Sequence, residues 1–130
     1  MPRTKPKSNF DIDLDFGVAN EEKIRKLFEG DGSIEVKTER DTWVTTGNIA
    51  IEIKYKGNPS GLSTTKAKWW IHVLSYNNKT EFSFIFPVSV LRRKVKWLHM
   101  EKRAIMTTGG DDNNSTLILC PIKELVKSNL

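Results

Sequence analysis

From position 33 to position 56 the chain reads SIEVKTERDTWVTTGNIAIEIKYK. Both ends of this stretch alternate apolar and polar residues, which is the period of a β-strand with one buried face. The segment between them, residues 41–47, has the composition of a turn. We therefore expect a β-hairpin whose polar side chains share one surface. These side chains are Glu35, Lys37, Glu39, Glu52 and Lys54.

Each strand of the expected hairpin carries the triplet Glu-x-Lys, at 35–37 and at 52–54. Neighbouring carboxylates repel each other, and Mg²⁺ or Mn²⁺ between them removes the repulsion because these ions prefer hard oxygen ligands. A lysine on the same face can orient a water molecule or neutralise charge on a phosphate. The pattern indicates a metal-dependent phosphodiesterase, and the alternative is a solvated face with cross-strand ion pairs.

The composition indicates a folded protein with a basic surface. The 130 residues include 38% hydrophobic and 28% charged residues, with four Trp and six Phe, which is enough for one sizeable core. The net charge of +5 suits a polyanionic partner such as DNA. No apolar run has membrane-spanning length and no signal-peptide core is seen, so we expect a cytoplasmic protein without membrane contact.

The sulfur and imidazole side chains show no metal-binding or disulfide pattern. Cys120 is the single cysteine and lies in an apolar run, which favours a buried structural thiol. His72 and His99 have no partners at zinc-site spacing, and we expect both to be structural or at the surface.

The N-terminal region divides into a basic arm and the start of a single domain. Residues 1–9 are expected to form a disordered arm that either tracks phosphates or is merely solvated, and residues 10–130 to form one domain. The alternating residues 10–16 predict an extended segment. A helix is expected over residues 18–29. Ile24, Leu27 and Phe28 mark its buried stripe with Glu21 on the same side, whereas Glu22 is expected on the solvent side. A metal beneath Glu21 would explain that placement, and stabilisation of the helix dipole would explain it equally well.

The rest of the chain predicts strands at 69–75, 81–86 and 116–120, a helix over 87–103 and a short helix from Pro121. On the long helix the inward residues are expected to be Val90 or Leu91, Val95 and Leu98, and on the short one Ile122, Leu125 and Val126. Trp69 and Trp70 are expected in the core, and residues 107–115 in a polar loop. The order of elements predicts an α/β sandwich with a central mixed β-sheet flanked by helices. Candidate phosphate-contacting residues lie on the arm, the loop after the hairpin and the long helix: Arg3, Lys5, Lys7, Lys56, Ser60, Thr64, Thr65, Lys66, Arg92, Arg93 and Lys96.

Several short motifs together resemble the PD-(D/E)xK nuclease superfamily over roughly residues 10–126, and within it the small phage and archaeal endonucleases similar to Holliday-junction resolvases. They are GVANE (17–21), IEVKT (34–38), TGNIAIE (46–52), KGNPSG (56–61), TTKAKWW (64–70) and GGD (109–111). The resemblance implies a restriction-endonuclease-like fold and Mg²⁺-dependent hydrolysis of a DNA phosphodiester that leaves a 5′-phosphate. It also implies branched DNA as substrate and a homodimer, because a junction is cut symmetrically at two strands.

The resemblance assigns roles by position. Glu35 and Glu52 are metal ligands, and Glu21 is the acidic residue of the helix that contributes to the same metal site. Lys37 orients the attacking water. The chain departs from the superfamily at the motif Asp, for which only Asp31 is available ahead of Glu35. Either Asp31 serves, or the motif lies one strand later with Lys54 as its lysine. Glu39 is a second-tier candidate together with Lys54 and Asp31.

Other functions remain open on the sequence alone. Within the nucleases, the chain can also be a flap, duplex or restriction-like endonuclease. A catalytically silent relative would bind DNA without metal and without cleavage. An RNA-binding or structural protein would use the strand face only as surface.

Overall fold

The computed structural model describes residues 8–29 and 33–127. These residues belong to two compact units, an N-terminal unit that ends at Ser33 and a second unit that begins at Ile34. The predicted basic residues Arg3, Lys5 and Lys7 and the candidate Asp31 lie outside the described residues. No helix in the described ranges is both long and apolar enough to cross a membrane.

In the N-terminal unit, the described residues form helix α1, which spans Asn9–Phe28. Ser8 caps it: the Asp11 amide donates to Ser8 Oγ at 3.2 Å, and the Ser8 amide donates to Asp11 Oδ2 at 3.2 Å. This reciprocal capping satisfies amides that a helix start otherwise leaves unpaired. The predictions of an extended segment at 10–16 and of a helix beginning near residue 18 are therefore wrong, since the cap starts the helix earlier. The predicted arm likewise loses its last two residues to the cap and the first turn.

The two neighbouring glutamates of α1 are both on its exposed surface. Glu22 pairs with Arg25 at 2.7 Å, which confirms its predicted solvent-side position. Glu21 is exposed as well, so the prediction that it faces inward is wrong. Ile24, the residue expected to mark the buried stripe beside Glu21, is itself 36% exposed.

The described residues of the second unit, 34–127, form seven strands and three helices in an α/β arrangement, which confirms the coarse fold class. The strands are β1 Ile34–Arg40, β2 Asn48–Tyr55, β3 Asn58–Pro59, β4 Trp69–Tyr76, β5 Lys79–Pro87, β6 Ile105–Gly109 and β7 Ser115–Pro121. The helices are α2 Thr42–Thr46, α3 Val88–Met100 and α4 Ile122–Leu125, with short 3-10 turns at Gly61–Ser63 and Asp111–Asn113.

The strands form two sheets, where the sequence predicted one central mixed sheet. The first is mixed, with the order β1-β4-β5, and the second is antiparallel, with the order β3-β2-β7-β6. Strand β1 runs parallel to β4, and β2 pairs with β7. The predicted hairpin of β1 with β2 is therefore wrong.

The seven residues between β1 and β2 explain this separation. They form helix α2 in place of a tight turn, and this helix is tied to the end of β4. The Asp41 amide and Trp43 Nε1 both donate to the Ser75 carbonyl, at 3.0 and 2.7 Å. These bonds hold the end of β1 beside β4, so that β2 starts in the other sheet.

The main core lies between α3 and the strands. Leu91, Val95 and Leu98 are buried on α3, as predicted from the helical period. They belong to one hydrophobic cluster with Ile51 of β2 and Trp70 of β4. Trp70 is 1% exposed, which confirms its expected core position. Cys120 is fully buried in the same cluster, as expected for a structural thiol.

Two smaller differences concern the C-terminal third. Residues 105–109 form strand β6, part of which was predicted as loop. Ile105 and Met106 are 67% and 46% exposed, so this edge strand buries too little to give a clear apolar period. Val126 was predicted to face inward beside Leu125, but it is 68% exposed because α4 ends at Leu125.

Candidate functional site

A small cavity of about 160 Å³ brings together polar side chains from both sheets. Strands β1 and β4 supply residues from the mixed sheet, and β2 and β7 supply residues from the antiparallel sheet. The lining residues are Lys37, Thr38, Glu39, Ala50, Glu52, Trp70, His72 and Leu117.

The strand registers place these side chains on facing surfaces. Lys37 lies beside His72 in the parallel pairing of β1 with β4, and alternation puts Glu39 on the same face. On β2, Ile49 and Ile51 are fully buried in the core, so Glu52 points from the opposite face. The cavity therefore forms where the polar face of β1 meets the polar face of β2, without any pairing between the two strands.

Glu52 is held by two hydroxyl groups. Ser115 Oγ donates to Glu52 Oε1 at 2.8 Å, and Ser60 Oγ donates to Glu52 Oε2 at 3.0 Å. Ser115 is 8% exposed, so its bond is made in a largely dry environment. The two bonds fix both oxygens of the carboxylate, which sits at the edge of the cavity.

Glu39 is held by two N–H groups on a single oxygen. The Ala50 amide donates to Glu39 Oε1 at 2.6 Å, and His72 Nε2 lies 3.0 Å from the same atom. His72 is 1% exposed and also accepts a hydrogen bond at Nδ1 from Trp70 Nε1, at 3.1 Å. His72 is thus buried, as one of the two sequence expectations had it, but it is also part of the cavity wall.

Lys37 is the lysine that the structure places at the cavity. Its Nζ pairs with Glu35 Oε1 at 3.2 Å, and both side chains are about one third or more exposed. Lys54 follows a bulge in β2, between Glu52 and Lys54, and is exposed. In the described part of the chain, Lys54 does not line this cavity.

The other candidate residues are distributed as follows. Glu35 pairs with Lys37 but is not one of the described residues that line the cavity, and Glu21 belongs to the N-terminal unit. Arg92 donates to the carbonyls of Leu62 and Thr65, at 2.9 and 2.7 Å, and so anchors the loop after β3 to α3. Of the remaining described candidates for phosphate contact, Lys56 lies in the turn between β2 and β3. The others lie on the loop after β3 or on the exposed face of α3: Thr64, Lys66, Arg93 and Lys96.

Three residues of the site were assigned differently or missed by sequence reasoning. Ser60 was a candidate for phosphate contact, and in the structure it binds Glu52. Ser115 lies 63 positions from Glu52, and its residue type alone carries no signal for this contact. His72 gave a signal that could have been used, since it alternates with Trp70 and Leu74 on a strand predicted to be buried. A buried imidazole requires polar partners.

The cavity offers the oxygen ligands that a hard divalent cation prefers. Glu39 and Glu52 supply carboxylate oxygens, which Mg²⁺ and Mn²⁺ prefer. Among residues 8–29 and 33–127, no three His, Cys, Asp or Glu side chains already form a metal-binding group. Two carboxylates agree with the usual habit of Mg²⁺, which binds one or two carboxylates and keeps several waters.

Comparison of the chain with protein-family models, with curated proteins and with solved structures finds no match.

Proposed function

We propose that the cavity between the two sheets is the active site of a metal-dependent DNA endonuclease. The observation that carries the proposal is the convergence of Lys37, Glu39 and Glu52 on one cavity, although the three come from two different sheets. Two acidic side chains can hold a divalent cation, and a lysine beside them can stabilise the charge that develops on a phosphate.

Each residue has a role that follows from its position. Glu39 and Glu52 would hold Mg²⁺ or Mn²⁺, which supplies Lewis-acid stabilisation of the phosphate when bound. Ser60 and Ser115 keep the Glu52 carboxylate oriented. Lys37 orients the attacking water or balances charge on the phosphate, and its ion pair with Glu35 holds the ammonium group at the cavity.

The proposed substrate is DNA, in line with the net charge of +5. The exposed cationic side chains Arg93 and Lys96 of α3 offer contacts to phosphates that do not depend on base sequence. Branched DNA and a homodimer are part of the proposal on the ground of the resemblance alone.

A gel cleavage assay tests the proposal. Synthetic four-way junction, flap and linear duplex are incubated with Mg²⁺, Mn²⁺ or EDTA, with wild type beside Glu52→Gln. We expect metal-dependent cleavage that Glu52→Gln abolishes, because the amide cannot replace a carboxylate ligand. Glu101→Gln, an exposed change after α3, is the matched control and should cleave as wild type does. Paired symmetric nicks in the junction support a resolvase, and cleavage of flap or duplex alone replaces it with a simpler endonuclease.

A silent DNA-binding protein is the second candidate, and one observation favours it. Both oxygens of Glu52 already accept hydrogen bonds, and Lys37 is already paired, so these two side chains have polar partners without a ligand. This candidate predicts salt-sensitive DNA binding that EDTA does not change. It also predicts no cleavage with either metal.

A further inference from the structure

A chain of two hydrogen bonds runs from the core to the cavity. It begins at Trp70, passes through His72 and ends at Glu39, whose Oε1 also accepts the Ala50 amide. Trp70 and His72 are each 1% exposed, whereas 19% of the Glu39 side chain is exposed. The chain therefore connects a rigid, dry part of the fold to an acid at the edge of solvent.

The direction of each bond follows from the donors. An indole nitrogen can only donate, so the Trp70 N–H requires an unprotonated Nδ1 on His72. The proton of the neutral imidazole then sits on Nε2, which donates to Glu39 Oε1. The contact between His72 and Glu39 is thus a hydrogen bond donated by His72 Nε2 to the carboxylate.

We propose that Trp70 and His72 are positioning residues for Glu39. Two N–H donors on Oε1 fix the rotamer of the carboxylate, and Oε2 takes part in neither bond. Glu39 is thereby held at the cavity in one orientation, where it would bind the metal together with Glu52. This inference rests on the proposed function, since it names the residues that prepare one of its two carboxylates.

The chain of hydrogen bonds from Trp70 through His72 to Glu39 explains why the two rings lie on the core face of β4. A buried polar ring needs partners on both nitrogens, and here each nitrogen has one. Removing such an outer partner typically lowers activity or metal affinity roughly 10- to 100-fold, because the ligand that it holds becomes mobile.

The test compares two replacements of His72 that differ in hydrogen bonding. His72→Phe keeps a flat ring but loses both bonds, and we expect kcat to fall roughly 10- to 100-fold with little change in KM. His72→Gln supplies an amide N–H for Glu39 and an oxygen for Trp70, and we expect it to recover most of the lost kcat. Leu98→Ala is the control for lost stability, since Leu98 is buried on α3. All assays are run where circular dichroism shows each variant folded.

Two outcomes of the kinetic comparison overturn the proposal. One is wild-type kcat in folded His72→Phe, and the other is an equal loss of kcat in His72→Phe and His72→Gln. Recovery in His72→Gln alone supports it, because a purely structural ring would not be replaced by an amide.

Nitrogen NMR of the His72 imidazole tests the hydrogen-bond chain without a cleavage assay. We expect wild-type His72 to be protonated at Nε2 and unprotonated at Nδ1. Glu39→Gln should keep this tautomer, since its side-chain oxygen can still accept, whereas Trp70→Phe should weaken the preference. Protonation of His72 at Nδ1 in the wild-type protein would contradict the hydrogen-bond chain, whether or not the protein cleaves DNA. If the wild-type protein shows the expected tautomer but cleaves no DNA, the proposed endonuclease function is contradicted. The hydrogen-bond chain to Glu39 is then still supported.

Discussion

Gly61 lies directly against the backbone of Glu52. A methyl group added to Gly61 would overlap the Glu52 carbonyl oxygen and approach its carbonyl carbon to 2.9 Å. The contact joins the loop after β3 to the strand that carries the central carboxylate of the site. It also places Ser60 where its hydroxyl reaches Glu52 Oε2.

Gly61→Ala should therefore damage both stability and site. Gly61 and Gly57 have positive φ angles of +53° and +79°, but nothing lies within 4 Å of the position a Gly57 methyl group would take. Gly57→Ala is thus a matched control that adds only backbone strain, roughly 1–2 kcal/mol. We expect a larger loss for Gly61→Ala in urea unfolding, together with loss of cleavage. Equal losses would contradict the close contact.

The two serines around Glu52 should contribute unequally to stability. Ser115→Ala removes a buried donor to a charged acceptor and should lower the free energy of unfolding by about 1.5–3 kcal/mol. Ser60 is less buried, so Ser60→Ala should lower it by about 0.5–1.5 kcal/mol. Denaturant unfolding measures both values. Ser83→Ala on β5 serves as the control, and a ranking of Ser60→Ala above Ser115→Ala would be inconsistent with this geometry.

The two lysines of the Glu-x-Lys triplets should differ in function. Lys37 lines the cavity, and its partly exposed ion pair with Glu35 adds little stability, so Lys37→Met should remain folded. We expect its cleavage rate to fall by about 10²–10³, the usual effect of removing one charge-stabilising group. Lys54→Met, at an exposed position, is the matched control and should cleave normally. Loss of cleavage in Lys54→Met alone would move the motif to the later strand.

The Cys120 thiol should be inert in the folded protein. Burial raises the pKa of Cys120 from 9.0 to about 12, so the reactive thiolate is suppressed. Between these values the unfolded chain loses its thiol proton first, and stability falls as pH rises from about 9 to 12. We expect slow labelling by iodoacetamide at pH 8 unless denaturant is added. Between pH 9 and 11, the unfolding free energy of wild type should fall more steeply than that of Cys120→Ala. Rapid labelling of the native protein would contradict the burial.

The sequence predicted most strands well but not their partners. Alternation in residues 33–56 is a local property, and it locates β1 and β2 to within a residue or two. Pairing depends on distant residues: β1 pairs with β4 and β2 with β7, and the alternation in residues 33–56 encodes neither choice. The intervening segment was interpreted as a turn, and it forms helix α2 because Asp41 and Trp43 bind the end of β4.

The sequence predicted charged residues of the site but not the contacts that hold them in place. Lys37 and Glu52 were predicted because each lies on the polar face of an alternating strand, and the cavity contains both. The bond from His72 to Glu39 joins residues 33 positions apart, so only the fold brings them together. The start of α1 was missed for a different reason. Its alternating residues have the period of a strand, and the cap formed by Ser8 and Asp11 overrides that period.

The most direct measurement is anomalous diffraction from crystals of the protein soaked in Mn²⁺, paired with a cleavage assay of the same preparation. The account predicts a Mn²⁺ peak in the cavity, in contact with Glu39 and Glu52, and its loss in Glu52→Gln. A preparation that cleaves DNA while its Mn²⁺ binds elsewhere, or that binds none in the cavity, would contradict the central claim.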